Sequence, residues 1–298
     1  MEKELKKPLS FQEQVLRLKE HGLIIADDAA ACDTLSKINY YRLSGYAYQY
    51  RKDSLRYADG ITFDQIIKIH DLDQSLRNLL RKPIEVIEIW ARTQIAHQFS
   101  MAKCALPPHD GHYNRENFYR KEMYDQVMLG LEDDLKHNKD TEFIKHHLKS
   151  YGGRMPLWVM VEILSFSNLS KLYNSMTKQD KERISAAMGT KEEYLSNNLH
   201  CLANLRNICS HGGRLYNRAI LPPVKLAPNY YKIFANQPND SLAAYLIALL
   251  RMLPDDRDRE SLLSELGSVI EIYREEVDLT KYGILNDYFE KLDRIFSA

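Results

Sequence analysis

The chain has 298 residues, of which 44% are hydrophobic, and its 41 basic side chains balance 41 acidic ones. This length allows one large domain or two modest ones with a real core, and the zero net charge argues against a histone-like binder. The charge is uneven, because residues 251–298 carry seven Lys and Arg against twelve Asp and Glu, or −5, which leaves +5 for residues 1–250. We therefore expect a polyanion to bind residues 1–250.

The cysteines and the N-terminus indicate a reducing, aqueous environment. Cys32, Cys104, Cys201 and Cys209 form no C-x-x-C pair, and scattered cysteines without a signal peptide are typical of reduced thiols. Segment 1–7 is polar, and no apolar run approaches the roughly 20 residues that span a membrane. We predict a soluble cytoplasmic protein with no membrane contact, no metal and no cofactor.

The first 50 residues predict two helices and one ambiguous segment. Ser10 and Glu13 form a capping box that opens a helix, which Gly22 ends. A second helix is expected from Asp27 through residue 35. Segment 39–46, Asn-Tyr-Tyr-Arg-Leu-Ser-Gly-Tyr, is dense in aromatic residues and fits either a loop or a short irregular helix.

The rest of the chain is also predicted to be helical. A second capping box at Thr62 opens a helix, and Pro83 is expected to end it and to open another. With no internal repeat and no sustained period-2 pattern, the chain is predicted to be all-α. Further helices are expected over residues 84–101, 115–137, 140–150, 157–176, 178–188, 191–211, 241–252 and 257–277 and in a last piece that runs to residue 296, with an irregular connection around residues 222–228.

One stretch at the end of the predicted helix 191–211 combines chemically active side chains. Arg206, Asn207 and His211 are followed at once by Gly212 and Gly213. Residues four apart share one face of a helix, so Asn207 and His211 are neighbours there, and the glycines can end the helix. A permanently charged guanidinium beside an imidazole that titrates near neutrality suits chemistry on a phosphodiester.

The spacing from Arg206 to His211 is not specific by itself. The same spacing recurs at Arg92 and His97, and chance can supply such matches. The ordinary interpretation is a surface arginine near a packed histidine, with Glu88 and Arg92 forming a supporting ion pair one helical turn apart.

Longer stretches resemble a known family. Segment 206–218 resembles the signature of HEPN ribonucleases, in which an arginine, a polar residue and three variable residues precede a histidine. Together with segments 7–23, 39–46, 60–63, 71–77 and 84–93, it resembles the abortive-infection (Abi, AbiD/AbiF-like) proteins of bacterial phage resistance. The resemblance covers residues 7–220 and leaves out most of the acidic tail.

The resemblance implies a HEPN-like helical bundle with extra N-terminal and C-terminal helices. It implies a domain over residues 1–220, made of an N-terminal helical part (7–82) and a HEPN core (83–220). Residues 221–298 would form an acidic helical extension packed on that core. Relatives belong to phage-defence and toxin–antitoxin systems and cleave RNA without a metal, which implies the same activity here.

The expected reaction uses the 2′-hydroxyl of RNA as nucleophile and leaves 2′,3′-cyclic phosphate and 5′-hydroxyl ends. His211 would act as general base or acid, Arg206 would stabilise charge on the phosphoryl oxygens, and Asn207 would orient His211. One histidine does not usually supply both proton transfers. The second would come from a homodimer partner, as in HEPN proteins, or from Arg92 and His97.

The second pair departs from the signature, because Thr93 stands where Asn, Asp or His is usual. Glu88, Arg92 and His97 are therefore accessory candidates, and Glu88 with Arg92 could instead position Arg206. Five further residues are candidates for RNA binding: Arg214 and Arg218, which would contact phosphates or brace the loop, Arg42, and Tyr40 and Tyr41, which would stack on bases or pack in the core.

The expected partners are an RNA substrate and, by resemblance to the AbiF-like proteins, a structured non-coding RNA that regulates the protein. The main alternative is a non-catalytic HEPN protein that only binds such an RNA. A different RNA-modifying enzyme or an interaction scaffold are further alternatives, although no Gly-rich nucleotide loop supports the former.

Overall fold

The structure is a computed structural model that describes residues 5, 7–53, 56–235 and 237–296. Most of the polar segment 1–7 and the last two residues of the acidic tail lie outside the described residues. Within the described ranges the chain forms fourteen α-helices and, instead of a sheet, only isolated β-bridges. The prediction of an all-α fold is confirmed.

One helix of 41 residues is by far the longest and packs against several of the others. Side-chain caps at Ser10, Thr62, Ser165 and Ser241 open four of the helices, each accepting a hydrogen bond from the backbone N–H three residues on. In chain order the helices are α1 (Phe11–Glu20), α2 (Asp28–Lys37), α3 (Tyr40–Ala47), α4 (Phe63–Lys103), α5 (Lys121–Asn138), α6 (Glu142–Tyr151), α7 (Leu157–Ile163), α8 (Phe166–Ser175), α9 (Lys178–Ala187), α10 (Glu192–Ser210), α11 (Pro228–Ile233), α12 (Leu242–Met252), α13 (Asp256–Tyr273) and α14 (Tyr288–Phe296).

Helix α4 runs unbroken over 41 residues, so the prediction that Pro83 separates two helices is wrong. A proline inside a helix costs about 3 kcal/mol. On either side of it, however, Leu76, Leu80, Ile84 and Ile87 are completely buried, and burying each such side chain contributes about 1.5–3 kcal/mol. The continuous buried face outweighs the local cost and holds the helix together across the proline.

The single apolar helix predicted over residues 157–176 is two helices, α7 and α8. Leu164 between them is extended, with a ψ of 135°. Ser165 then caps α8 by accepting a hydrogen bond from the Asn168 N–H at 3.2 Å. A serine hydroxyl can bond the backbone in this way and so compete with a continuous helix. The apolar pattern continues across the break because each of the two helices buries one face.

Other helix ends also differ from the sequence expectation. Segment 39–46 forms the regular helix α3, because the Asn39 side chain accepts a hydrogen bond from the Tyr41 N–H at 2.7 Å and so caps it. Helix α5 begins at Lys121 after a short 3₁₀ turn, later than predicted. Helix α11 interrupts the connection that we expected to be irregular.

The C-terminal part of the chain shares the core of the rest. Helix α13 packs on α4, and α12 packs on α10. In α12 only Arg251 is not buried, and one contiguous core extends from Val15 to Leu292. The predicted division of the chain at residue 220 stays a prediction. Among the described residues, no helix combines the length and apolarity needed to cross a bilayer.

A buried carboxylate connects distant parts of this core. Asp73 on α4 is completely buried and pairs with Arg77 one turn further on. It also accepts hydrogen bonds from the Tyr46 hydroxyl (2.8 Å), the Tyr216 N–H (2.8 Å) and the Tyr282 hydroxyl (3.1 Å). Burial, and then the Asp73 charge, raise the pKa of Tyr282 well above its usual range, so this hydroxyl stays a donor. Asp73 thereby fixes the segment that follows α10.

Candidate functional site

The three residues of the predicted catalytic motif lie at the end of α10. Arg206 and Asn207 are in its last two turns, and His211 is its C-cap residue, with its N–H donating to the Asn207 carbonyl at 3.0 Å. Gly212 follows with a φ of +64°, a conformation that favours glycine. The glycine therefore ends the helix directly after His211, where the sequence predicts.

Asn207 contacts Arg206 rather than the ring of His211. Its Oδ1 accepts a hydrogen bond from Arg206 Nη1 at 3.3 Å, and its Nδ2 donates to the Ser167 hydroxyl at 3.4 Å. The His211 side chain is exposed, and its ring forms no hydrogen bond or ion pair with a residue that the structure describes. We expected the Asn207 side chain to orient the His211 ring, but among the described residues no hydrogen bond joins the two side chains.

An open cleft of about 400 Å³ lies where α10 meets α4 and the end of α7. Arg206 projects into it with 43% of its side chain exposed. Among the described residues that line the cleft there is no histidine, although Ser210, the neighbour of His211, is one of them. The charged side chains of the lining are Arg81, Glu85, Glu88, Arg92, Glu162 and Arg206.

Glu88 lies between two arginines of this cleft. Its Oε2 is 3.9 Å from Arg206 Nε, and its Oε1 accepts a hydrogen bond from Arg92. Arg92 also donates to the carbonyl oxygens of Val161 and Glu162, the latter at 3.0 Å, near the end of α7. These two carbonyl groups hold the Arg92 side chain in place, and Arg92 in turn holds Glu88. The Glu88 carboxylate faces the guanidinium of Arg206. Of the accessory residues, Glu88 and Arg92 therefore lie beside Arg206.

His97, the third accessory candidate, is not part of this arrangement. It is exposed on α4 and does not line the cleft. The structure thus brings Arg92, but not His97, next to the motif of α10.

Two arginines of α4, the buried Arg77 and the exposed Arg81, bond the backbone at the end of α10. Arg81 Nη2 donates to the Cys209 carbonyl at 2.9 Å, and Arg77 Nη1 donates to the Gly213 carbonyl at 3.2 Å. The last carbonyl groups of a helix lack partners and carry the negative end of its dipole. Arg81 satisfies one of these carbonyl groups, that of Cys209, whereas Arg77, which is paired with Asp73, bonds the loop just beyond the helix.

Two of the arginines that are candidates for RNA binding brace the backbone. Arg42 on α3 donates to the Gly212 carbonyl, and Arg214 donates to the Gly45 carbonyl. Arg218 is exposed and donates to the Arg214 carbonyl at 3.2 Å. Bracing the loop was one of the two expectations for Arg214 and Arg218, and Arg218 alone of the three keeps an exposed side chain.

The tyrosines of segment 39–46 differ in their exposure. Tyr41 is 84% exposed and is open to a ligand. Tyr40 is half-buried against the core, and burial raises its pKa. Tyr46 is buried and bonded to Asp73. Of the two tyrosines predicted to contact RNA, Tyr41 presents a free ring and Tyr40 only part of one.

Cys209 is the one thiol inside the motif. It is completely buried, and burial raises the pKa of the thiol to about 12. At neutral pH it is therefore a protonated thiol, and the thiol form is a poor nucleophile. The described residues contain no group of three or more His, Cys, Asp or Glu side chains that could hold a metal ion.

Sequence reasoning missed Asp73, Arg77 and Arg81. The available signal was their spacing of four residues, which places them on one face of a helix. These charged residues directly follow positions such as Leu72 and Leu76, which the hydrophobic pattern assigns to the core. Segment 71–77 is part of the family resemblance, which assigns no role to its side chains.

Fold and site together define a class: an all-α protein with an arginine in an open charged cleft and an exposed histidine at the end of the same helix. The sequence model of one family, described as Abi-like protein, matches residues 33–217. The match covers more than half of the chain and includes the motif of α10, and the chain belongs to this family. No curated protein and no solved structure matches it.

Proposed function

We propose that the protein is a metal-independent endoribonuclease of the HEPN type. One observation carries the proposal: Arg206 is held in an open cleft by Glu88, 3.9 Å away, while the exposed imidazole of His211 ends the same helix. A cation that can bind a phosphate and a side chain on the same helix that can transfer protons are what RNA cleavage needs.

In the proposed reaction the 2′-oxygen of RNA attacks the adjacent phosphorus, and the bond from phosphorus to the 5′-oxygen breaks. His211 takes the proton of the 2′-hydroxyl or gives a proton to the departing 5′-oxygen. Arg206 stabilises the charge that develops on the phosphoryl oxygens. The products are a 2′,3′-cyclic phosphate and a 5′-hydroxyl. Arg81 contributes by offsetting the negative end of the α10 dipole, which would otherwise repel the phosphate.

The second proton transfer comes, in this proposal, from a second copy of the chain. His97 does not line the cleft of Arg206, so the structure gives no reason to assign the second proton transfer to His97 of the same chain. His211, in contrast, is exposed at a helix end, where a two-fold axis could place two imidazoles across one groove. A homodimer is therefore the arrangement that we propose.

The biological setting follows from the family. Abi stands for abortive infection, in which a bacterial cell halts growth when a phage infects it. We propose that the chain acts in the bacterial cytoplasm as the toxic component of such a system, with a structured non-coding RNA as its regulator. The net charge of +5 over residues 1–250 supports contact with a polyanion.

A non-catalytic RNA-binding protein is the alternative, and one observation favours it: no described residue fixes the ring of His211. Expression in bacteria separates the two. We expect the wild-type chain to stop growth and His211→Ala to permit it while still binding RNA in a gel-shift assay. Equal toxicity of the two proteins would rule out the nuclease.

A further inference from the structure

A second cleft, of about 390 Å³, is formed by the loop between α4 and α5, by α6 and by the start of α7. We call it the aromatic cleft and define it by Tyr113, Tyr151, Arg154 and Trp158, with His146 and His147 beside them. It shares no residue with the cleft of Arg206. Its lining is rich in flat rings, which makes it chemically different from that charged cleft.

The aromatic rings of this cleft are open to solvent. Trp158 is 57% exposed and Tyr151 is 59% exposed. The Trp158 indole forms no ring contact or hydrogen bond with any residue that the structure describes. Single exposed aromatic residues are common on protein surfaces, but a concave group of them marks a binding site. The Trp158 ring is available to a flat ligand, whereas the exposed Tyr151 ring also contacts the rings of His146 and His147, with centroids 5.7 and 5.5 Å away.

The polar groups of the aromatic cleft suit an uncharged ring system better than a phosphate. Arg154 lies 5.0 Å above the centre of the Tyr113 ring and pairs with Asp110 at 2.5 Å. Because the carboxylate offsets the guanidinium, the cleft has little net charge with which to attract an anion. A planar guanidinium and a carboxylate can both hydrogen-bond the edge of a nucleobase.

The base of the cleft is rigid. The buried ring of His112 donates from Nε2 to the Met155 carbonyl at 2.9 Å, since a carbonyl can only accept. The Met155 N–H donates to the Tyr113 hydroxyl oxygen at 3.2 Å. These two bonds hold both polar backbone groups of Met155, three residues before Trp158. The backbone that carries the exposed indole is thus held in place before any ligand binds.

We propose that the aromatic cleft binds an unpaired nucleobase by stacking it against Trp158 and Tyr151. As the source of the base we take the RNA of the proposed function, and to that extent the inference rests on it. The stacking itself requires only a base, so free nucleotides provide an independent probe. The strand would then contact the protein at two places, the charged cleft and the aromatic cleft.

Fluorescence of Trp158 tests the inference. The chain has two tryptophans, so a Trp90→Phe variant leaves Trp158 as the only one. The ligands are adenosine monophosphate, a 2′-O-methyl oligonucleotide, which lacks the nucleophile and cannot be cleaved, and an abasic oligonucleotide of equal length and charge. We expect the first two to quench the fluorescence and the abasic strand to bind at least tenfold more weakly. Equal quenching by the abasic strand, or no quenching by either base-containing ligand, would overturn the inference.

A second measurement does not depend on Trp90→Phe. Stacking on one aromatic side chain is worth about a tenfold change in affinity or more, so Tyr151→Ala should weaken binding of a labelled 2′-O-methyl oligonucleotide by that factor. Tyr119→Ala, at a 78% exposed tyrosine outside the cleft, is the matched control and should bind as the wild type does. Equal affinity of Tyr151→Ala and the control would count against stacking.

Parallel assays of RNA cleavage keep the two proposals apart. If nucleotides quench the Trp158 fluorescence of a protein that does not cleave RNA, the stacking site is supported and the nuclease is refuted. Cleavage of RNA without quenching would refute the stacking site and leave the nuclease standing.

Discussion

Arg42 on α3 donates a hydrogen bond to the carbonyl oxygen of Gly212, which lies 170 positions further along the chain. Arg214 returns the contact by donating to the carbonyl of Gly45. Segments 39–46 and 206–218, which carry most of the family resemblance, therefore hold each other in place. Their arginines fix the backbone next to His211, and this explains why the two segments belong together.

Replacing Arg42 should destabilise the fold. A hydrogen bond from a charged group contributes about 1.5–3 kcal/mol, and Arg42→Ala also leaves the Gly212 carbonyl without this partner. We expect the free energy of unfolding, measured by urea denaturation, to fall by that amount. Arg218→Ala, at an exposed arginine in the same region, is the control and should stay within about 0.5 kcal/mol of the wild type. A stable Arg42→Ala protein that has lost affinity for RNA would show that Arg42 contacts RNA instead.

Arg92 and His97 should differ sharply when each is replaced. Arg92→Ala removes the contacts to Glu88 and to the carbonyl groups of α7, and it leaves Glu88 without one partner. We expect a loss of about 3 kcal/mol or more in unfolding free energy, typical of a broken half-buried ion pair, together with slower cleavage of RNA.

His97→Ala removes only an exposed ring. We expect its cleavage rate and its unfolding free energy to match those of the wild-type protein within about twofold and 0.5 kcal/mol. A stable His97→Ala protein that no longer cleaves RNA would instead make His97 the second proton-transfer group.

The buried ring of His112 should make the fold sensitive to acid. Burial lowers its pKa below the usual 6.5, so the unfolded chain binds a proton at a higher pH than the folded chain does. The contribution of His112 to stability is therefore complete above about pH 6.5 and is lost as the pH falls through the lowered pKa. We expect the unfolding free energy to drop between pH 7.5 and pH 5.5.

The variant His112→Gln tests the origin of that drop, because a glutamine can still donate to the Met155 carbonyl but does not titrate. Its unfolding free energy should decline less between the two pH values than that of the wild type. His137→Gln, at an exposed histidine on α5, should keep the wild-type decline. If His112→Gln kept it as well, other groups would be responsible for the acid sensitivity.

The sequence predicted what depends on local patterns. The capping boxes at Ser10 and Thr62 and the glycine after His211 marked helix ends correctly, because these signals act within a few residues. The helix across Pro83 and the break at Leu164 were missed, since they depend on burial against distant helices and on a serine competing with its own helix.

The site residues, too, were predictable from the sequence only where the signal is local. The motif from Arg206 to His211 was visible because its residues are adjacent in sequence, and the spacing of four residues predicted the ion pair of Glu88 with Arg92. The roles of Arg42, Arg77 and Arg81 were not visible. Each bonds a carbonyl group more than a hundred residues away, and no local pattern shows which arginine will find a backbone partner.

The ends of the RNA fragments test the central claim most directly. Single-stranded RNA is incubated in EDTA with the wild-type protein, with His211→Ala and with His200→Ala, an exposed histidine earlier on the same helix. We expect the wild-type and His200→Ala proteins to produce 2′,3′-cyclic phosphate and 5′-hydroxyl ends at similar rates, and His211→Ala to be slower by about 10²–10⁴. Cleavage by His211→Ala at the wild-type rate, or fragments with 5′-phosphate ends, would contradict the account.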